Sequence, residues 1–101
     1  MKTFVLYRPE REARVVAALA AAGIAHARLW LGPEPSAVPA GCTLTAPEVA
    51  CWRGHWGIVG RVAMESPDEP TLVLEDDFLP VPRQNWRDYL TVLLDLSLIH
   101  I

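Results

Sequence analysis

Three acids in a row, Glu75-Asp76-Asp77, follow the apolar run Thr71-Leu-Val-Leu74. A short, nearly continuous apolar run reads as a strand covered on both faces, as in a parallel sheet. The acids then stand at its carboxyl end, where open parallel sheets bind their ligands. Adjacent carboxylates repel one another unless a cation or strong donors neutralise them. A hard divalent cation held by one or two carboxylates and phosphate oxygens suits such a site. It would also stabilise a departing diphosphate. If the chain stays extended, alternation puts Glu75 and Asp77 on one face and Asp76 on the other. Taken alone, the tripeptide reads equally well as a solvated acidic turn capping a strand.

Arg8 and Arg11 follow another apolar run, Thr3-Phe-Val-Leu-Tyr7, and their planar guanidinium forks match phosphate oxygens. The plainer reading is a solvated helix start in which Glu10 or Glu12 is their partner. His55 lies in a helical segment. Stepping residues 48–63 at 100° puts Val49, Cys51, Trp52, Trp56, Ile58, Val59, Val62 and Ala63 on one half of the cylinder. Ala50, Arg53, Gly54, Gly57, Gly60 and Arg61 fall on the other. This pattern predicts an inward-facing His55, either satisfied by a backbone carbonyl or bonded to the acidic strand end. Trp52 and Trp56 read as packing residues, and Trp86 as the better candidate for stacking on a sugar or base. Each glycine costs the helix about 1 kcal/mol relative to alanine, and in exchange lets another group come close. Cys42 and Cys51 have no C-x-x-C or second Cys/His pair nearby, so reduced thiols are expected rather than a disulfide or a metal pair.

The elements that must position these groups can be read in order. Thr3–Tyr7 is a strand closed by Pro9, and Glu10–Ala22 is a helix with Gly23 at its C-cap. His26–Leu31 is a second strand, and the proline-rich stretch Gly32–Gly41 is a loop. Thr45-Ala-Pro-Glu48 has the spacing of a capping box, which starts the next helix. After a polar turn, Thr71–Glu75 forms a third strand, and a helical pattern opens at Asn85 and runs through Leu94. Alternating strands and helices predict an α/β fold: a mainly parallel sheet with flanking helices.

The 101 residues are 51% hydrophobic, with 12 acidic against 9 basic side chains. That excess of acid offers no basic surface for a general nucleic-acid binder. The longest apolar run, Val15–Ala25, is eleven residues, short of the roughly 18 that span a bilayer. Charges from Arg8 onward interrupt any secretory signal. A cytoplasmic protein is expected, with peripheral membrane association and oligomeric state left open.

The combination Leu44-Thr-Ala-Pro-Glu48, Ala50-Cys51, His55-Trp56 and Thr71–Asp77 resembles glycosyltransferase family 25. That family includes bacterial lipooligosaccharide galactosyltransferases and procollagen galactosyltransferases. Its members look like L-T-x-x-E-x-x-C-x-x-S-H on a helix, followed by a strand ending in E-D-D. They open on a strand and an Arg-containing turn, which Phe4–Arg11 echoes. The resemblance covers residues 1–80 and is strongest over 44–77. It departs at Gly54, where the family has Ser, and near Tyr7, where the family's Asn-Leu is missing.

The resemblance implies an incomplete GT-A-like nucleotide-sugar transferase fold, with residues 1–95 as the N-terminal portion of a single domain. It implies metal-assisted transfer of a hexose (galactose from UDP-galactose) to a saccharide acceptor, as in lipopolysaccharide or lipooligosaccharide biosynthesis. Arg8, Arg11, His55 and Glu75 would contact the nucleotide sugar, while Asp76 and Asp77 would hold Mn2+ or Mg2+. The catalytic base is not assigned. The alternative is a catalytically inactive nucleotide-sugar-binding or regulatory module with the same fold. Residues 96–101, Leu-Ser-Leu-Ile-His-Ile, look like a translated sequencing adapter and are expected to lie outside the natural domain.

Overall fold

The computed structural model describes residues 2–79. Strand β1 (Lys2–Tyr7) leads through a 3-10 turn (Pro9–Arg11) into helix α1 (Glu12–Ala22). Strand β2 (Arg28–Leu31), helix α2 (Ala46–Glu65) and strand β3 (Thr71–Glu75) follow. The helix read over residues 85–94, with Trp86, and the tail 96–101 lie outside the described residues.

The strands pair in the order β2-β1-β3, all parallel. Val5 pairs with Leu29 on one side and Leu74 on the other, and Leu6 pairs with Trp30 and Glu75. Period-two alternation divides β1 between two cores. Phe4 and Leu6 pack with Ile58 of α2, joined by Trp30, Val62 and Val73. Val5 packs with Val15 and Leu19 of α1, joined by Tyr7, Leu29 and Leu74. The helices therefore cover opposite faces. The chain leaves β1 toward β2 and later returns to pair with β1's other edge, so the strand order reverses between β1 and β3. In open α/β sheets the crevice at such a reversal is the ligand site.

Both helix boundaries have local causes. Gly23 takes the left-handed conformation (φ 70°), and the amide after it, Ile24 N–H, donates to Leu19 O at 3.0 Å. A residue with a Cβ is strained in that conformation. At the start of α2 the capping box forms as the spacing predicts. Glu48 N–H donates to Thr45 Oγ1 at 3.3 Å, and Thr45 N–H donates to Glu48 Oε1 at 3.1 Å.

Three readings of the sequence are corrected. Helix α1 begins at Glu12 rather than Glu10, because Pro9–Arg11 winds as a 3-10 turn. Strand β2 begins at Arg28 rather than His26. The larger correction concerns α2, whose buried residues are Ala50, Gly54 and Ile58. Trp52 and Trp56, expected to pack, are 59% and 66% exposed, and Val59 is 55% exposed. A Cβ at Gly54 would meet Leu6 Cδ1 at 2.5 Å, and one at Gly57 would meet the Trp30 ring at 3.0 Å. The inner face is that of Ala50, Gly54, Gly57 and Ile58. What comes close to these glycines is the sheet itself.

Candidate functional site at the carboxyl ends of the strands

Strand parity sends two neighbouring acids in opposite directions. Glu75 follows Val73 on the α2 side, and Asp76 follows Leu74 on the α1 side. The chain then turns, with Phe78 N–H donating to Glu75 O at 3.1 Å. The extended geometry needed to put Glu75 and Asp77 on one face ends at Glu75, and Asp76–Asp77 form the turn.

On the α1 side Asp76 bridges the reversal point. Its Oδ2 accepts from Arg8 N–H at 2.9 Å, and its Oδ1 accepts from Arg11 Nη1 at 3.4 Å. Arg14, which the sequence reading did not single out, donates to the carbonyls of Asp76, Asp77 and Phe78. It stands in the first turn of α1, among the charges Glu10, Arg11 and Glu12. The Arg8 guanidinium turns toward β2 instead. It donates to Gly32 O and Pro33 O at 3.2 and 3.0 Å, and pairs with Glu34 at 2.7 Å. Glu10, an expected partner, lies 3.8 Å from Arg8 Nε, whereas Arg11 pairs with Asp76 rather than Glu12.

On the α2 side Glu75 Oε1 accepts from two groups on one helix face. His55 Nε2 lies 2.9 Å away and Cys51 Sγ 3.4 Å away. A carboxylate only accepts, so the His55 proton sits on Nε2. The hydrogen bond from His55, then that from Cys51, holds the Glu75 carboxyl below its ordinary range. Burial, the bond to Glu75 and the charges of all three acids push the Cys51 thiol up. His55 is half-buried, and its partner is the acidic strand end rather than a backbone carbonyl. Cys51 is the functional-type residue that the sequence reading set aside. The available signal was its i, i+4 spacing from His55, which aligns two ligand-type side chains on one helix face.

Two hollows flank this cluster. One, about 270 Å³, lies over the reversal point and is lined by Tyr7, Arg8, Gly32, Pro47, Cys51, Glu75 and Asp76 among others. The other, about 350 Å³, is lined by Glu48, Cys51, Trp52, His55 and Glu75. Cys51 and Glu75 form the wall between them. The site thus brings together Arg8, Arg11 and Asp76 on one flank and Cys51, His55 and Glu75 on the other. The backbone carbonyl of Asp77 accepts from Arg14.

No helix among the described residues is long and apolar enough to cross a membrane. Comparison with protein-family models, with curated proteins and with solved structures finds no match to this chain.

Proposed function

We propose that the chain forms the donor side of a hexosyltransferase, taking a nucleotide-sugar diphosphate at the reversal point between β1 and β3 and passing the hexose to a saccharide acceptor. The observation that carries this reading is the hollow at that point, with Arg8 in its wall and Arg11 behind its Asp76 edge. Three parallel strands deliver their carboxyl ends there, which is where such sheets bind phosphorylated ligands. The residue pattern shared with glycosyltransferase family 25 adds the hexose and the UDP carrier, galactose being the first choice. Arg11 is the cation that a diphosphate meets most readily. Its side chain is 50% exposed, and its bond to Asp76 is long at 3.4 Å. A phosphate oxygen can replace the carboxylate in a charge-assisted pair.

Mn2+ or Mg2+ on Asp76 and Asp77 belongs to the same proposal. Asp76 accepts one hydrogen bond on each oxygen, from the Arg8 amide and from Arg11, and each oxygen keeps a further lone pair. A phosphate that takes Arg11 would leave one of them to a cation. Asp76 also positions the arginine turn, tying the end of β1 to the end of β3.

The departure at Gly54 has a packing cause in this chain. A serine there would put its Cβ on Leu6, so the missing hydroxyl does not by itself count against transfer. A second reading, a nucleotide-sugar-binding or regulatory module without transfer activity, draws on the internal pairing of Arg8 with Glu34 and Arg11 with Asp76.

The deciding experiment is a calorimetric titration of the 101-residue chain with UDP and with UDP-galactose. Saturable binding is expected, weakened about tenfold in Arg11→Ala by loss of one charge-assisted hydrogen bond. Absence of binding, or identical binding by the variant, overturns the donor reading. Product formation with a saccharide acceptor separates the transferase from the binding module.

A further inference from the structure

We propose that Cys51, His55 and Glu75 form a three-ligand site for a zinc-class divalent ion, with the fourth position open to the hollow beside Trp52. The ligand atoms of these three residues all lie within 4.8 Å of one another. Zinc bond lengths of about 2.0–2.3 Å in a tetrahedron set ligand atoms about 3.3–3.8 Å apart. The distances of 2.9 and 3.4 Å about Glu75 Oε1 need a few tenths of an ångström of opening at His55, and the separation between the Cys51 and His55 ligand atoms, within 4.8 Å, has up to about 1 Å to close.

The donor set selects the metal. A thiolate and an imidazole are ligands for zinc, cobalt and copper, while manganese, magnesium and calcium prefer all-oxygen sets. Thiolate plus carboxylate supply two negative charges, which balance a divalent ion. The same three residues are poorly arranged as a nucleophilic triad. There the thiol must hand its proton to the imidazole, but here the Cys51 thiol donates to Glu75, which stands between it and His55. Three protein ligands with one position left over is the pattern of sites that bind water or an anionic oxygen, rather than of closed structural sites.

The backbone holds the cluster from both sides. Glu75 is the last residue of β3, in register with Leu6. Gly54, between Cys51 and His55 on α2, rests against that same Leu6. A bare helix position opposite the register partner of Glu75 brings Cys51 and His55 within reach of its carboxylate. Gly54 is thus a positioning residue for the site. The proposal stands independently of the donor reading, because UDP binding at the arginine turn and metal binding at this cluster are measured separately.

The test is a cobalt titration of the reduced full chain, followed by back-titration with zinc. One equivalent of cobalt should give thiolate-to-cobalt charge transfer and intense tetrahedral visible bands, both lost on adding zinc. Cys51→Ser should abolish the charge-transfer band, and His55→Ala should weaken zinc binding by about 100-fold or more, beyond the usual cost of losing an outer partner. Cys42→Ser should change neither. X-ray absorption at the zinc edge of the unsubstituted chain gives a reading that does not depend on any variant folding. One sulfur at about 2.3 Å with nitrogen and oxygen at about 2.0–2.2 Å supports the site. A shell without sulfur, cobalt bands that persist in Cys51→Ser, or preference for manganese over zinc overturns it.

Discussion

Helix α1 meets the sheet through Val15 and Leu19 against Val5, whereas α2 meets it through Ile58 against Phe4 and Leu6 and through the bare backbone of Gly54 against Leu6. The site inherits this difference. On the α1 side long arginine side chains span the distance to the acidic turn. On the α2 side the close approach lets short groups, a thiol and an imidazole, touch Glu75 directly. The two flanks therefore reach the acidic tip with side chains of different length. The arginine flank suits a phosphate that slots between cations and carboxylate, and the flank of short side chains suits an ion held between them.

The largest effect that tests this contrast comes from emptying one core at a time. Ile58→Ala on the α2 side and Leu19→Ala on the α1 side should each cost about 2–5 kcal/mol, since both remove buried methyl groups. Urea denaturation should show lowered midpoints with unchanged slopes. The comparison sharpens when metal binding is read on the same proteins in their folded baselines. Ile58→Ala loosens the helix that carries Cys51 and His55 and should weaken zinc binding, while Leu19→Ala should leave it unchanged. Equal weakening by both would mean that the two flanks are not separable.

Next in size is a change in the spacing itself. Gly54→Val forces a branched side chain onto Leu6, and overpacking of this kind costs about 1–3 kcal/mol. The pair Gly54→Val with Leu6→Ala should be less destabilised than the sum of its parts, because the residues share one contact. Gly60 is the internal control. Nothing lies within 4 Å of a Cβ placed there, so Gly60→Ala should stabilise the helix by about 1 kcal/mol through propensity alone. Thermal melts of Gly54→Val, Leu6→Ala, the double variant and Gly60→Ala decide the matter. Stabilisation by Gly54→Val would remove the argument for close approach.

Much of the fold could be read because local rules govern it. Gly23 as a C-cap, the Thr45–Glu48 capping box and the apolar strand Thr71–Glu75 each depend on a few neighbouring residues, and each forms where its pattern stands. The α2 face could not be read the same way. Hydrophobicity placed Trp52 and Trp56 inward, but steric room against Leu6 and Trp30 placed the glycines there, and only the sheet's position reveals that constraint. The acidic tip was legible as the carboxyl end of a strand. Its division into two flanks was not, because the turn at Asp76 cuts short the alternation on which the pairing of Glu75 with Asp77 rested. Cys51 reads as a plain reduced thiol because Glu75, the group that joins it to His55, is 24 residues away in sequence.

The smallest expected effect concerns the start of α2, which aims Cys51 one turn later. Thr45 donates to Glu48 through its backbone N–H and its hydroxyl, and these bonds hold the Glu48 carboxyl below its ordinary range. A carboxyl with a depressed folded-state pKa contributes stability that is fully present above its unfolded value, about 4.3, and is lost as pH falls through the folded value. Glu48→Gln keeps an acceptor for the Thr45 amide but removes the charge. Its melting temperature should fall slightly below that of the parent at pH 7, and the gap should close as pH drops below about 4. Glu65, held down chiefly by its hydrogen bond from Arg28, titrates in the same direction in both proteins and cancels from the difference. The α1 flank begins without any such side-chain cap. A gap at Glu48→Gln that stays constant down to pH 3 would show that the capping box works through geometry alone, with its charge contributing nothing to the flank that carries the cluster.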